Sequence, residues 1–353
     1  MMSPELLSMA VAVGESVIGM DLAKGAFGRA SLGGGVFSRT RLSEADLRGA
    51  DLRETVFEHC DLTGALLSGA NLRRAVFDHC TLDHADLRGA NLHGSVWTEC
   101  QAPHVQLADA QLSMATLSKS NLDHAVLRGA NLDSAVLSEL GLFDACADGA
   151  SWRQTVVSEC KLQLLTWAGA TLLRVAFVNT DLQGKSFANL SIEGCQFTGS
   201  DLSTADFSAA RMRQCNFQGA TLDGACFTKA QGPLALFCNV QGAKTDFAGA
   251  GLRQALFTGA QLPGADFTRC DLYQVHFAGA QLPQARFMSS DLTYADFRHA
   301  DLTGADLRQA ILFRAVLHGA GTQNAQMTDR ARAIDEDLDL AAAERWQPME
   351  QSS

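Results

Sequence analysis

Cysteine and histidine are the residues of this sequence whose types and spacing could support metal or redox chemistry. The chain contains 10 Cys and 9 His. Two series recur at every twentieth position, namely Cys60, Cys80 and Cys100, and His84, His104 and His124. Thiolate and imidazole groups are the usual ligands of zinc in proteins. A metal or redox ladder is therefore one hypothesis for both series.

Known catalytic and metal-binding motifs are absent from the sequence. No two Cys have the C-x-x-C spacing of a zinc knuckle or a redox site. The sequence also has no Walker loop, no H-E-x-x-H and no nucleophile elbow. We therefore expect a protein that is not an enzyme and that has no catalytic residue, metal or other cofactor.

The spacing of these series is a multiple of a shorter repeat, and that repeat must position their side chains. Every fifth residue from Leu22 to Leu317 is a repeat centre, and 33 of these 60 centres are Leu and 17 are Phe. The residue two positions before each centre is mostly Ala or another small residue. Helices repeat near 3.6 residues and strands near 2, so a period of five predicts a chain that turns regularly.

The individual repeats resemble a known family. Typical copies are Ala45-Asp46-Leu47-Arg48-Gly49, Ala90-Asn91-Leu92-His93-Gly94 and Ala300-Asp301-Leu302-Thr303-Gly304. They resemble the pentapeptide-repeat family, whose motif is A(D/N)LXX, over residues 20–319. The resemblance implies an all-β solenoid, a right-handed quadrilateral parallel β-helix of about 15 coils. Four pentapeptides form each coil, with the centre and the preceding small residue pointing inward.

This geometry changes the interpretation of the Cys and His series. Seven of the ten Cys occupy the inward small-residue slot, where Cys serves as a small hydrophobic residue in place of Ala. His59 and Cys60 occupy adjacent outward and inward slots, so their side chains point in opposite directions and cannot bind the same metal ion. His84, His104 and His124 occupy an outward slot and should form an exposed column. Adventitious metal binding by this column stays an open alternative.

The repeat also predicts the interior and the domain limits. From Phe177 to Phe297 every tenth residue is Phe, so two opposing faces should contribute Phe stacks. Irregular slots suggest bends near residues 100–106, 140–190 and 231–242. We expect an irregular N-terminal cap at residues 1–19, the β-helix at 20–319, and a C-terminal capping helix and tail at 320–353, with helical spacing as far as Trp346.

Charge and hydropathy restrict the partners. The formal net charge is −11, which disfavours direct binding to nucleic acid or to an anionic membrane surface. No apolar run is long enough to span a membrane, and the start has no basic segment of a signal peptide. We expect a cytoplasmic protein.

Two outward apolar features are candidate partner surfaces. Val36, Val56, Val76 and Val96 recur at every twentieth position in a slot that normally holds Asp or Asn, so they should form a ridge on one face. Near the C-terminus, Ile311, Phe313 and Val316 give the last coil more apolar residues than its inward slots can hold. Either the tail helix or a second copy of the chain should cover this patch, and the second case predicts a homodimer.

The function expected from these features is a bacterial protein–protein interaction scaffold or accessory protein. Similar repeat proteins occur beside secretion systems. The family resemblance also implies an alternative, a DNA mimic that binds DNA gyrase and protects it from quinolones or toxins. The repeat carries 30 acidic and 25 basic residues. This near balance disfavours mimicry of DNA unless the charges segregate to one face.

Overall fold

The fold follows from a backbone that turns at every fifth residue. In the computed structural model, residues 2–344 are described and form a parallel β-solenoid of about 16 turns, which confirms the predicted fold class. The chain divides into two compact units. Unit 1 extends to Leu182 and includes Leu190–Gln196, and unit 2 comprises Gln183–Asn189 and the described residues from Phe197 onward.

Each coil consists of four pentapeptides and has four sides. Parallel bridges join Asp46 to Leu66 and Leu66 to Asp86 on one face. The Leu47 amide donates to the Leu66 carbonyl at 2.8 Å. At the corner, the Ala45 amide donates to the Leu42 carbonyl at 3.0 Å, and Glu44 has a φ of 54°. A positive φ at the third residue is the mark of a type II turn.

The four faces differ in how much regular strand they contain. One face of unit 1 is a nine-stranded parallel sheet in sequential order, whereas the other faces are ladders of single bridges. The strands of this sheet are Val17–Ile18 (β1), Val36–Ser38 (β2), Val56–Glu58 (β3), Val76–Asp78 (β4), Val96–Thr98 (β5), Thr116–Ser118 (β6), Val136–Ser138 (β7), Val156–Ser158 (β8) and Ala176–Val178 (β9).

The interior contains stacked side chains. In unit 1 the Phe57 ring lies 5.1 Å from Phe77, centroid to centroid. Unit 2 holds two Phe stacks on opposing faces, as predicted. Phe207 stacks on Phe227 at 4.6 Å and meets Phe217 of the other stack edge-on at 5.4 Å. Offset and edge-on pairs add to the energy of apolar burial, so each ring is held both along and across the coil.

Most Thr and Cys residues in the inward slot share one hydrogen bond, in which the side chain donates to a carbonyl 23 residues earlier. The Thr55 hydroxyl donates to the carbonyl of Leu32 at 3.0 Å, 23 residues earlier. The Cys80 thiol donates to the Phe57 carbonyl at the same interval, with a distance of 3.3 Å. A buried polar group is costly only when it lacks a partner, so Ser, Thr and Cys can replace Ala in this slot.

The hydrogen-bond ladder continues through two of the three irregular stretches. The Ala102 amide donates a hydrogen bond to the Asn121 carbonyl at 2.8 Å, and the Gly232 amide donates one to the Gly251 carbonyl at 2.8 Å. The ladder is therefore continuous at residues 100–106 and 231–242, and the bends expected there stay a prediction. At Gly232 a Cβ atom would lie 2.6 Å from Met212 Cε. The long Met212 side chain therefore fills the space that a larger centre would occupy.

The N-terminal segment is helical, whereas the sequence suggested an irregular cap. Helix α1 covers Pro4–Ala12, and the Ser3 side chain caps it by accepting from the Leu6 amide. Leu7 and Val11 are buried. The solenoid then starts at β1, slightly before the predicted limit of residue 20. Ser, Pro and Glu in succession are a helix-start signal, which explains the difference.

The C-terminal segment continues the coil before it becomes helical. Asp306–Leu307 (β10) pairs in parallel with Gln326–Met327 (β11), beyond the predicted limit of residue 319. A 3-10 turn at Arg330–Arg332 follows, and helix α2 covers Leu338–Glu344. Trp346, which we assigned to this helix, lies outside the described residues. No helix among residues 2–344 has the length and apolar character needed to cross a membrane.

Candidate functional site

The predicted Val residues form a continuous column on the sheet face of unit 1. Val36, Val56, Val76 and Val96 pair directly with one another along β2–β5. Val36 and Val96 are more than one-third exposed, and the two between them are half-buried by their neighbours. We call these four residues the Val ridge. An outward apolar column of this kind is available to a partner.

Charged side chains border the Val ridge unequally. Glu58 and Asp78 occupy the outward column on one side, and the His79 ring lies 3.0 Å from both Asp78 and Glu99. These carboxylates raise the pKa of His79, and the hydrogen bond to Asp78 makes the largest contribution. On the other side the corner holds Arg53, Glu54 and Arg74, where Arg53 pairs with Asp51 at 2.6 Å and Arg74 pairs with Glu54 at 3.5 Å. The ridge therefore has one acidic border and one border of paired charges.

The C-terminal patch is an aromatic cluster in unit 2. Ile311 and Phe313 are 46% and 44% exposed. The Phe313 ring meets Tyr294 edge-on at 5.9 Å, and Tyr294 meets Tyr273 at 5.8 Å. Arg253 lies over the Tyr273 ring at 4.3 Å. Neither Tyr was among the predicted interface residues, although the chain has only two and both occupy outward slots of adjacent coils.

Val316 does not share the exposure of Ile311 and Phe313. It forms a parallel bridge with Ile334 of the tail, and the Leu317 amide donates to the Ile334 carbonyl at 2.8 Å. Val316 is half-buried as a result. The tail therefore covers one of the three predicted interface residues and leaves the other two exposed.

A second apolar surface, at the N-terminal end of unit 1, was not predicted. Leu6, Met9 and Val13 follow one face of α1 and its end, and they are 58%, 65% and 74% exposed. Ile18 on β1 is also exposed. The spacing of the first three, by three and four positions, is the helical signal that could have identified them. This helix is apolar on its solvent side as well as on its buried side.

The cysteines have the structural role that the slot rule predicts. All ten are free thiols, and Cys60, Cys80 and Cys100 are buried. Burial raises the pKa of Cys100 to about 11 and that of Cys270 to about 12. A thiol reacts and binds metal as the thiolate. Cys100 and Cys270 therefore stay protonated near neutral pH and act as small apolar residues.

The histidine column exists, but its rings do not converge. His84 and His104 stack with centroids 4.6 Å apart and planes 5° apart, and His104 and His124 stack at 4.8 Å. Equivalent nitrogens of parallel rings are about as far apart as the centroids. Two metal–nitrogen bonds of about 2.1 Å span at most about 4.2 Å. Neighbouring rings of the column would therefore have to tilt toward each other before they could chelate one ion.

A different histidine cluster does converge, in unit 2. The Nε2 atoms of His299 and His318 contact the two carboxylate oxygens of Glu344 at 2.9 and 3.2 Å. His299 occupies a corner and His318 an outward slot of the next coil, and Glu344 ends α2. The sequence did not reveal this cluster because the two histidines occupy different slots of the repeat, and because the position of the tail has no periodic signal.

An open groove lies beside the histidine column in unit 1. It has a volume of about 620 Å³, and Asn121, Asp123, Gly141, Phe143 and Lys161 are among its lining residues. Phe143 is 42% exposed and meets His124 edge-on at 5.7 Å. The Asp123 carboxylate accepts a hydrogen bond from the Phe143 amide at 2.9 Å. One carboxylate of the lining is therefore already hydrogen-bonded within the chain.

Asp residues in the slot before a centre pair with Arg wherever the sequence reads Asp-Leu-Arg or Asp-Phe-Arg. The Arg side chain then neutralises the Asp two residues earlier. Arg48 donates to both carboxylate oxygens of Asp46, at 2.8 and 2.7 Å. This bidentate pair lowers the pKa of Asp46 to about 2. The same two-residue geometry recurs in four more pairs: Asp51 with Arg53, Asp86 with Arg88, Asp296 with Arg298, and Asp306 with Arg308.

Comparison with known proteins gives matches to repeat families. A family model described as a pentapeptide repeat region matches residues 50–127. A second model, described as pentapeptide repeats in eight copies, matches residues 26–58, 170–208, 200–231, 238–274, 250–287, 270–309 and 290–328. No curated protein matches the chain significantly.

Solved structures show the same kind of architecture. The structure of QnrB1, a plasmid-mediated fluoroquinolone resistance protein, is 20% identical, with 60% of this chain and 85% of that chain covered and a TM-score of 0.36. HetL, a pentapeptide repeat protein involved in heterocyst differentiation regulation in the cyanobacterium Nostoc, is 26% identical, with 91% and 99% covered and a TM-score of 0.21. With TM-scores below 0.5, neither likeness informs the function of this chain.

Proposed function

Because the chain belongs to the pentapeptide repeat family, we propose that it is a non-enzymatic scaffold for protein–protein interaction, an adaptor of a bacterium. The observation that carries the proposal is the distribution of exposed apolar side chains. Groups of them lie on the Val ridge, on the solvent side of α1 and around Phe313, and others are spread over both units. Contiguous apolar patches mark interaction sites in proteins.

The residue types at Phe313 also favour a protein partner. Tyr and Arg are enriched among the side chains that dominate interface energies. Here Phe313 contacts Tyr294, Tyr294 contacts Tyr273, and Arg253 lies over the Tyr273 ring. We therefore propose that Ile311 and Phe313 belong to a homodimer interface at this end of unit 2. Val316 is not part of it, because the tail already covers this residue.

The Val ridge is the second proposed docking strip. Its partner should offer an apolar strand or helix face, with basic groups toward Glu58 and Asp78. The simpler alternative is that β-branched residues suit strands. Both alternatives predict the same fold, so only a binding measurement separates them.

The test compares two variants of the full chain as baits for affinity capture from the native host. One variant carries Val→Ser substitutions at the four positions of the Val ridge. The control carries Asn71→Ser, Asn91→Ser, Gln111→Ser and Asn131→Ser, in the same outward slot of another face. We expect the ridge variant to lose at least one partner that the control retains, with matching circular dichroism. Equal recovery by both variants would remove the docking strip.

The alternative function is protection of DNA gyrase by mimicry of DNA. It is favoured by the family resemblance and by the net charge of −11. The bidentate Asp–Arg pairs oppose it, because each places a guanidinium on the acid that would mimic a phosphate. A gyrase supercoiling assay with and without a fluoroquinolone tests this alternative. Unchanged activity and drug sensitivity at excess protein would exclude it.

A further inference from the structure

The cluster of His299, His318 and Glu344 differs from the other histidines in the direction of its ring nitrogens. The two imidazole planes are almost perpendicular, with 87° between them and 5.6 Å between centroids. Both Nε2 atoms nevertheless contact the same carboxylate. The three ligand atoms all lie within 4.8 Å of one another. Within residues 2–344, this is the place where three metal-ligating side chains meet.

The donor set suits a divalent transition metal. Two neutral imidazoles and one carboxylate are a known zinc ligand combination, which leaves a coordination position for water. The nitrogen-to-oxygen distances of 2.9 and 3.2 Å are close to the separation of two ligands about 2.0–2.1 Å from a shared ion. Hydrogen bonds from both rings lower the pKa of Glu344, the larger contribution coming from His318, so the carboxylate is ionised at neutral pH.

Burial and backbone contacts fix one of the rings. His318 is only 6% exposed, and its Nδ1 atom accepts a hydrogen bond from the Asp337 amide at 3.2 Å. The ring proton of the neutral imidazole therefore sits on Nε2 and points at Glu344. A metal at Nε2 would move this proton to Nδ1 and break the Asp337 contact. Binding therefore replaces three hydrogen bonds, the Asp337 contact and the two contacts to Glu344, with metal–ligand bonds.

We propose that His299, His318 and Glu344 form a Zn²⁺ site that fastens α2 to the last coils of unit 2. Helix α2 has only seven residues, and a helix that short is not stable by itself in water. Among its described residues, Ala341 is buried and Glu344 provides the contact to the histidines. The ion would replace two hydrogen bonds to Glu344 with coordination and so fix the tail on the coil.

The test is calorimetric titration of Zn²⁺ into the full chain at neutral pH. We expect one site that weakens by about tenfold or more in Glu344→Gln and His299→Gln, in line with the loss of a metal ligand. The matched control is His276→Gln, an exposed histidine in an outward slot of the same unit, which should leave the site unchanged. Equal affinity in Glu344→Gln and the unsubstituted protein would overturn the proposal.

A second measurement separates a built site from adventitious binding. Zn²⁺ should slow amide hydrogen exchange in residues 328–344 of the unsubstituted protein and have no such effect in Glu344→Gln. Loss of binding only in a His84→Gln, His104→Gln and His124→Gln variant would assign the ion to the column and refute the proposed site. Absence of any binding at micromolar Zn²⁺ would refute it as well. Circular dichroism of each variant checks that the solenoid is intact.

Discussion

Single residues in this protein are governed by the slot they occupy within five positions. Centres and small residues point inward, and the slot before the centre points outward, where it carries Asp, Asn or Val. The Asp46–Arg48 pair shows a further interaction inside one pentapeptide. Its guanidinium forks over both carboxylate oxygens, and such bidentate pairs are stronger than ordinary surface ion pairs.

The pair predicts a defined acid titration. Asp46 has a pKa of about 2 against an ordinary value of 3.8. Because the folded pKa is depressed, the stabilising interaction is complete above about pH 4 and is lost as the pH falls toward 2. In Arg48→Gln the Asp46 midpoint should rise toward 3.8, as measured by carboxyl carbon NMR. Arg128→Gln is the control, because residue 126 is Val. An unchanged midpoint in Arg48→Gln would contradict this assignment.

The sequence predicted inward and outward directions almost completely but not the contacts of the outward side chains. Cys60 and Val36 lie where their slots require. Tyr294 and Phe313 come together from a corner and an outward slot of adjacent coils, a neighbourhood that the period permits but does not single out. Glu344 reaches His318 through a tail without periodicity. Contacts of that kind depend on tertiary packing, which no local pattern encodes.

At the level of elements, the solenoid is stabilised by columns that run from coil to coil. In unit 2, Phe217 touches two rings of its own stack, Phe197 and Phe237, and meets two rings of the opposite stack edge-on. The recurrence of Phe at every tenth residue was enough to predict this arrangement. Helix α1 has no such column, and its place at the end of unit 1 depends on the absence of a side chain at Gly35.

Removing one Phe from a stack should be costly. Phe217 is fully buried, so Phe217→Ala should destabilise the protein by about 3–5 kcal/mol through lost burial and a residual cavity. Phe217→Leu should cost less, because other columns use Leu centres. Phe313→Ala is the control, since this ring is 44% exposed. Chemical denaturation followed by circular dichroism gives the three values. Similar losses for Phe217→Ala and Phe313→Ala would contradict the expected role of the stacks.

The contact between α1 and the first coils predicts a specific steric effect. A Cβ at Gly35 would lie 3.1 Å from Val11 Cγ2 and 3.0 Å from Phe37 Cε2. Gly35→Ala should therefore displace α1 and cost about 1–3 kcal/mol, as overpacking generally does. Amide hydrogen exchange in residues 4–12 should accelerate.

A double variant checks the cause. Val11→Ala removes the methyl groups that the new Cβ would meet, so the two substitutions together should cost less than the sum of the single effects. Strict additivity would show that Val11 is not the obstacle and that Phe37 or the backbone of Leu32 takes the strain.

For the molecule as a whole, a repeat protein should tolerate removal of complete coils but not of partial repeats. Segments 261–280 and 281–300 of unit 2 have the same order of centres, Leu, Phe, Leu and Phe. Deletion of 261–280 should leave a cooperative fold with the far-UV spectrum of a β-solenoid. Deletion of only 261–264 should disrupt it, because the later Leu and Phe centres and the small inward residues would all move to outward slots. Equal unfolding midpoints for both deletions would contradict the five-residue rule.

The Asp–Arg pairs affect how such a chain can lengthen. Where an acid and its counterion belong to one pentapeptide, duplication of any coil copies both partners together, and the new coil is neutral at that position from the start. A pair that crosses coils, such as Arg41 with Asp21 at 3.3 Å, is separated by an insertion between them. Growth of the array by tandem duplication therefore favours coils that contain Asp-Leu-Arg. Coils joined by a pair such as Arg41 with Asp21 are the places where duplication would leave an unmatched charge.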